Sequence, residues 1–431
     1  MTTAIALIVI FAGMAVLMYL NRLPAIIALP IMAVAAALAA RVPWADVAGI
    51  VSDGAFALHK AYATAILGAI LAEIVSKTGV AETMVKKAAE LGGDRPLALS
   101  LVLTAVVALL FTTLGGLGAV IMVATIVFPI LLALGVPGLT VGALFLFGMS
   151  LGGIFNLTNW QLYRETLGLS QGAILSFAIP FAGVMAAATV IFAVVQLRPS
   201  QLRKYWSAAT APAKVAFVPW YTLLTPIIPL LPVVGFGIHN LATHRGFEFP
   251  IVTAMVVGIA YGVLASPRPA QGRIQLLARS VVDGIAAVAP AVALMLGIGM
   301  LVKAVTHPAV LSQIQPRLAA VMPGTPVTYV IVFAILAPLA LYRGPLNVYG
   351  MGFGLAKVMA AAPGLGPAAI MAALLSVGQI QGVCDPTNTH NVWIANYVGS
   401  DVQKILRRTL GYVWAAAAVG LIVGAALFMR R

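Results

Sequence analysis

Two short stretches carry the residue types that hold small polar solutes. They are G-I-F-N-L-T-N, from Gly153 to Asn159, and G-V-C-D-P-T-N, from Gly382 to Asn388. Each interrupts an apolar span, about 139–155 in the first case and 367–383 in the second. Breaking a helix in apolar surroundings leaves backbone N–H and C=O groups unpaired, at a cost of several kcal/mol each. Such breaks persist where something else satisfies those groups. A half-helix N-terminus suits carboxylates and other anions, and a half-helix C-terminus suits Na⁺ or a hydrogen-bond donor. Asn156, Thr158, Asn159, Thr387 and Asn388 supply small neutral ligands at the two breaks.

Asp385 is the one acid of eleven that sits inside a break motif. An ionisable group at membrane depth marks a functional site by default. Asp385 reads either as a coupling residue for H⁺ or Na⁺, or as an N-cap for a half-helix beginning after Pro386. Arg343 lies in the polar interruption Tyr342 to Asn347 of another apolar stretch, and its guanidinium fork suits a carboxylate. The alternatives for it are a structural partner of Asp385 and an exposed tip. His390 follows the second break and reads as a buried structural histidine or a proton relay.

The remaining charges have plainer readings. Asp53 and Asp283 read as helix caps, and Glu73 pairs with Lys77 at i,i+4. Glu165 has a local structural role or a functional one. His59, Lys60 and Lys303 snorkel, while Trp160, Tyr163 and Trp393 read as interface anchors. No HExxH motif, P-loop or nucleophile with a base is present, so no enzyme and no cofactor is expected.

The positioning elements follow from composition. The chain has 431 residues, 62% hydrophobic and 8% charged, against about 25% charged in a soluble domain. Apolar runs such as Ala4 to Leu20, Ile251 to Ala265 and Val413 to Phe428 approach the roughly 20 residues that span a bilayer. The net charge of +14 comes from basic residues in short loops, the positive-inside pattern, and not from nucleic-acid binding. Cys384 alone excludes an internal disulfide framework. Met1 to Leu20 reads as a retained first span and not a cleaved signal.

The sequence repeats. Val51-Ser52-Asp53-Gly54 resembles Val281-Val282-Asp283-Gly284, Leu67-Gly68 matches Leu296-Gly297, and Gly115-Gly116-Leu117 matches Gly344-Pro345-Leu346. The two T-N motifs match, as do Ile174-Leu175 and Ile405-Leu406. Nearly constant offsets of 229 to 231 residues give two repeats, 1–196 and 216–431. The linker 197–215 carries Arg198, Arg203, Lys204 and Lys214 with no acid, so it is expected in the cytoplasm. Span 56–78 then runs opposite to its partner 283–305, and the repeats are inverted.

Leu97 to Leu134 and Val327 to Ala362 are each interrupted midway, by Thr112 to Gly118 and by Tyr342 to Asn347. Two crossings and a re-entrant hairpin both return to the same side. The re-entrant hairpin is expected, because a charged, proline-containing tip fits a loop lining an aqueous cavity. The expected fold is an all-α polytopic membrane protein of two inverted repeats. Each repeat has five transmembrane spans, one re-entrant hairpin and a broken helix. The expected location is the inner membrane of a prokaryote.

This pattern resembles the ion transporter superfamily. Leu117 to Leu169 is most similar to its citrate, gluconate and C4-dicarboxylate permeases, with a glycine-rich tip, an apolar arm and a polar break about 40 residues later. The resemblance implies that Gly115, Gly116 and Gly118 form the first tip and Arg343, Gly344 and Asn347 the second. It implies Asn156, Thr158 and Asn159 at the first break, and Asp385, Thr387 and Asn388 at the second. It further implies an elevator motion against a scaffold that forms a homodimer. The chain lacks the Ser-Asn-Thr that dicarboxylate members carry at their tips.

The expected function is secondary transport of a small organic anion across the lipid bilayer, coupled to H⁺ or Na⁺. The alternatives are a cation/proton antiporter of the same superfamily and a membrane subunit that needs a separate binding protein. Arg343 opposes the antiporter as long as it faces the cavity.

Overall fold

The computed structural model describes residues 2–20, 22–198, 218–243, 246–267 and 272–429. Among them the regular elements are all helical. The first half runs α1 (Thr2–Tyr19), α2 (Ala25–Ala39), α3 (Trp44–Phe56), α4 (His59–Lys77), α5 (Val80–Gly92), α6 (Pro96–Leu110), α7 (Gly116–Ala133), α8 (Gly138–Gly153), α9 (Leu157–Leu167) and α10 (Gln171–Gln196). The second runs α11 (Leu230–Thr243), α12 (Ile251–Ala265), α13 (Arg273–Thr306), α14 (Pro308–Val321), α15 (Pro326–Leu336), α16 (Gly352–Ala361), α17 (Pro367–Cys384), α18 (Thr389–Tyr397) and α19 (Val402–Phe428). The chain is an all-α polytopic membrane protein.

The order of elements recurs. Trp44 opens α3 and Arg273 opens α13; Gly138 opens α8 and Pro367 opens α17; both pairs stand 229 apart. The amphipathic α5 answers to α14. One difference stands out. The stretch 44–77 is broken at Ala57-Leu58, whereas its counterpart α13 is a single helix of 34 residues.

Six helices or helix runs are long and apolar enough to cross a bilayer, or eight if two bent pairs count as spans. Four elements read as spans are shorter: the apolar helix of α1 runs from Thr3 to Tyr19, and α2 has 15 residues, α11 14 and α12 15. The span expected near 216–235 is not one helix. A 3₁₀ turn at Trp220–Leu224 precedes α11. Pro226 and Pro229 remove donors and force the chain out of helix there. The basic linker lies outside the described residues from 199 onward, as do Arg268, Arg430 and Arg431.

Small residues let the helices approach. Gly54 on α3 and Gly299 on α13 face each other so closely that a Cβ on either meets the other helix's backbone. Gly284 does the same against Ala69 and Ile70 of α4. This is the packing expected where lipid gives no hydrophobic drive between helices. Lys77 adds a polar tie, reaching Glu73 at 3.1 Å and Asp283 at 2.6 Å. The i,i+4 pair is therefore as expected. Asp53 and Asp283 are not helix caps, because both lie inside helices, and Asp283 instead joins α13 to α4.

Both interrupted stretches are hairpins. The arms of the second are too short to cross, with 11 residues in α15 and 10 in α16, or about 16 and 15 Å at 1.5 Å per residue. The first tip, residues 111–115, meets the break between α8 and α9, where Leu157 donates its N–H to the Thr112 carbonyl at 3.2 Å. The first tip thus meets the break of a neighbouring helix, although α7 by itself is long and apolar enough to cross a bilayer. Thr113 fixes it further by donating to the Pro226 carbonyl at 2.7 Å.

Candidate functional site

Each break is tied to its own hairpin tip by one side chain, and those two side chains are repeat equivalents. Asn156 donates from Nδ2 to the Phe111 and Leu114 carbonyls at 2.9 and 3.2 Å. Its Oδ1 accepts from the N–H groups of Thr158 and Asn159, capping α9. Asp385, 229 residues later, does the matching work with acceptors. Its Oδ1 accepts from the Tyr342 N–H at 3.1 Å, the Thr387 N–H at 2.9 Å and the Thr387 hydroxyl at 2.6 Å. Its Oδ2 accepts from Asn347 Nδ2 at 3.1 Å. Asp385 is fully buried. It does not cap a helix after Pro386, because α18 starts at Thr389 with Asn388 before it.

A second equivalence holds each break closed. Asn159 donates to the Gly153 carbonyl at 3.0 Å, and Asn388 to the Gln381 carbonyl at 2.8 Å. Both reach back over the gap to a carbonyl in the last turn of the preceding half-helix. A third pair joins the halves directly. Ser150 donates to Gln379 Oε1 at 2.6 Å across a separation of 229 residues. Equivalent residues touch each other only at the axis that relates the halves, so this bond marks that axis.

The tips and breaks, with α13, border an open cavity of about 710 Å³. From the first half it is lined by Gly115, Gly116 and Gly118 of the tip and by Asn156, Thr158 and Asn159 of the break. From the second come Arg343, Asn388 and His390. The remaining sequence candidates stand behind the wall. Gly344, Asn347, Asp385 and Thr387 do not line the cavity. Asn347 is fully buried and donates to Asp385 and to the Ala340 carbonyl, so it supports the tip from within. Tyr163 also lines the cavity and is 3% exposed, so it is not an interface anchor. Trp160 is fully buried and donates to the Ile154 carbonyl at 2.8 Å, and it too is no anchor.

Other lining residues went unnoticed in the sequence. Ser150, Gln379 and Gln381 sit in apolar helices, and Tyr349 lies in the second tip. Tyr349 donates its hydroxyl to Asn159 Oδ1 at 2.5 Å, joining the second tip to the first break. Gln381 Oε1 accepts from the Val348 N–H at 3.0 Å. The signal that marks Ser150 and Gln379 is positional: both are polar, mid-helix and one repeat apart.

Arg343 is the only Lys, Arg, Asp or Glu among the described residues lining the cavity. It donates to the Tyr349 carbonyl at 3.2 Å and, among the described residues, forms no salt bridge with Asp385 or any other acid. Its backbone is left-handed, with φ 58°, as is that of Tyr342, with φ 55°. Each costs about 1–2 kcal/mol for a residue with a Cβ. Gly344 then passes so close to Leu339 that a Cβ would run into its carbonyl. Gly344→Ala should therefore reopen the second tip, lowering the midpoint of thermal unfolding and transport together. The equivalent Gly115→Ala, with open space at its Cβ, should leave stability unchanged.

At the first tip, α7 begins at Gly116 and its N-cap Gly115 has no side chain to satisfy the first-turn N–H groups. Gly116, Leu117 and Gly118 line the cavity at that end. The site thus combines one guanidinium, an uncapped helix N-terminus and neutral amide and hydroxyl groups. That set suits a small anion.

No family model matches the chain, and no curated protein matches it. Solved structures do. The Alcanivorax borkumensis YdaH transporter is similar at 14% identity over 86% of each chain, with a TM-score of 0.54. Neisseria gonorrhoeae MtrF, described within a class of antimetabolite efflux pumps, is similar at 14% identity, covering 87% of this chain and 83% of its own, with a TM-score of 0.50. At this identity the likeness concerns the fold, and it supports the polytopic all-α architecture described above.

Proposed function

We propose that this chain is a secondary active transporter of a small organic anion bearing a carboxylate, coupled to H⁺ or Na⁺. One observation carries the reading: the Arg343 guanidinium lines a cavity at membrane depth and forms no salt bridge among the described residues, and Asp385, the acid within its electrostatic reach, already accepts four hydrogen bonds. The guanidinium fork is therefore open to a carboxylate of the substrate. The uncapped start of α7 supports the same polarity. A cation site would not keep a guanidinium in its wall, so Arg343 argues against the antiporter alternative.

The repeats 1–196 and 216–431 are read as inverted about the Ser150–Gln379 contact. Five spans and a re-entrant hairpin make an odd number of crossings, so the second repeat enters from the other side. The hairpins and broken helices form the moving part of an elevator, and the remaining helices form the scaffold of a homodimer in a prokaryotic inner membrane. The likeness to the citrate, gluconate and C4-dicarboxylate permeases belongs to this proposal.

The test is uptake into proteoliposomes of purified protein with a panel of mono-, di- and tricarboxylates, run with and without a Na⁺ gradient and with and without a pH gradient. At least one carboxylate should accumulate, and one gradient should drive it. If none moves in either orientation of the protein, the organic-anion reading fails.

A further inference from the structure

The cavity borders α13 from Ala286 to Met295. Those positions have counterparts 229 residues earlier, at 57–66, on the α3–α4 run. The two walls differ. Ala286 and Pro290 of α13 are exposed. On the first repeat the matching face is closed at Leu58, Ala61 and Tyr62, which are 1%, 0% and 8% exposed, while Ala65 already borders the same cavity.

The cover is α9. It packs along α4, and Glu165 closes the contact. One carboxylate oxygen accepts from the Lys60 N–H at 3.0 Å and the other from the Ala61 N–H at 2.9 Å. These N–H groups are free because the helix breaks at Ala57-Leu58, and α13 has no such break. A carboxylate at a helix N-terminus forms a charge-assisted hydrogen bond favoured by the helix dipole. The counterpart of α9 is α18, which does not pack along α13 in this way. The cavity fills that space, with Thr389 and His390 of α18 and Ala286 and Pro290 of α13 on its lining. Glu165 itself faces a second hollow, beside His59, Lys60 and Ala63 of the first repeat and Glu248 and Pro250 of the second. The second repeat has Ile394 at the matching position, so no carboxylate is available to hold α18 on α13.

In an inverted-repeat transporter each half adopts in turn the arrangement its partner has now. We propose that Glu165 is the latch of the closed face, and that its release opens the wall at 58–62, at the start of α4, while α18 closes onto 286–290 of α13. This rests on the proposed transport function for its purpose but not for its test. Glu165 is a positioning residue in this scheme and touches no substrate. The break at Ala57-Leu58 makes the latch possible, and the unbroken α13 makes the two faces unequal.

The test uses the full-length protein in liposomes and a membrane-impermeant maleimide applied from either side. Cys384, the chain's one cysteine, is buried, and the unaltered protein serves as the blank. Ala286→Cys should label from one face. Leu58→Cys should label slowly, and only from the other. Adding Glu165→Gln should speed labelling of Leu58→Cys by about tenfold or more, the loss of a charge-assisted hydrogen bond expressed as a ratio. The same change should slow labelling of Ala286→Cys, and Glu165→Asp should restore the original pattern. A purely structural cap would change thermal stability and leave the sidedness alone, which would overturn the proposal. Should Glu165→Gln not fold, Leu58→Cys in the otherwise unaltered chain still decides. Labelling from the same face as Ala286→Cys, or no labelling from either, overturns it. Sidedness that switches in a protein that moves no carboxylate would refute the transport reading and keep the latch; uptake without the switch would do the reverse.

Discussion

Arg343→Ala is expected to reduce carboxylate uptake by about a hundredfold in a protein that still folds. The size follows from truncating one partner of a buried charge pair, about 2–5 kcal/mol, at 1.4 kcal/mol per tenfold. The folding half of the expectation follows from the few bonds Arg343 makes inside the protein. It gives one hydrogen bond, to the Tyr349 carbonyl at 3.2 Å, and no salt bridge among the described residues. Arg343→Lys keeps the charge but not the bidentate fork, so it should fall between. Arg343→Gly separates backbone from charge. With φ at 58°, glycine relieves strain, so this variant should unfold at or above the wild-type temperature and still fail to transport. Uptake in proteoliposomes and thermal unfolding of the same preparations decide the matter. Unchanged apparent affinity in Arg343→Ala would remove the guanidinium from the site.

The repeat was readable because it preserves residue types that a helix break requires. Asn156 and Asp385, Asn159 and Asn388, and the tip glycines each mark a place where the backbone leaves helical geometry, and such places restrict residue choice. Both hairpins and both broken helices follow from them. What lay between the breaks was harder. Ser150 and Gln379 sit in runs of apolar residues, and nothing nearby in the sequence announces that they meet. Tyr349 reaches Asn159 over 190 residues, a contact that only the tertiary fold creates. Glu165 was legible as a charge but not as a partner of the α4 N-terminus, because the break at Ala57-Leu58 has no proline or glycine to reveal it. Conversely, the prolines at 226 and 229 were present in the sequence, and the apolar residues around them still read as a span.

Asp385 poses the sharper question, because its repeat equivalent does the same stitching with an amide. Asn156 ties break to tip without any charge, so stitching alone does not call for a carboxylate. Two substitutions separate the stitch from the charge. Asp385→Ala strands four donors, on Tyr342, Asn347 and twice on Thr387, in a fully buried place. An unsatisfied buried donor costs about 1–3 kcal/mol, so this variant should lose both stability and transport. Asp385→Asn is different. Its Oδ1 keeps the Tyr342 and Thr387 bonds, and its new amide faces Asn347. Asn347 Nδ2 also holds the Ala340 carbonyl, so it cannot flip to accept from the new amide without losing that bond. Asp385→Asn should therefore cost about 1–3 kcal/mol at that one contact and remain more stable than Asp385→Ala. If the carboxylate couples transport to H⁺ or Na⁺, this variant should still exchange labelled for unlabelled substrate, since Arg343 is intact. It should lose gradient-driven accumulation by about tenfold or more, the value of one charged interaction. Counterflow and gradient-driven uptake, measured on the same proteoliposomes, give the two readouts. Accumulation equal to the parent's would leave Asp385 as a stitch like Asn156 and move the search for the coupling group elsewhere in the cavity wall, first to His390.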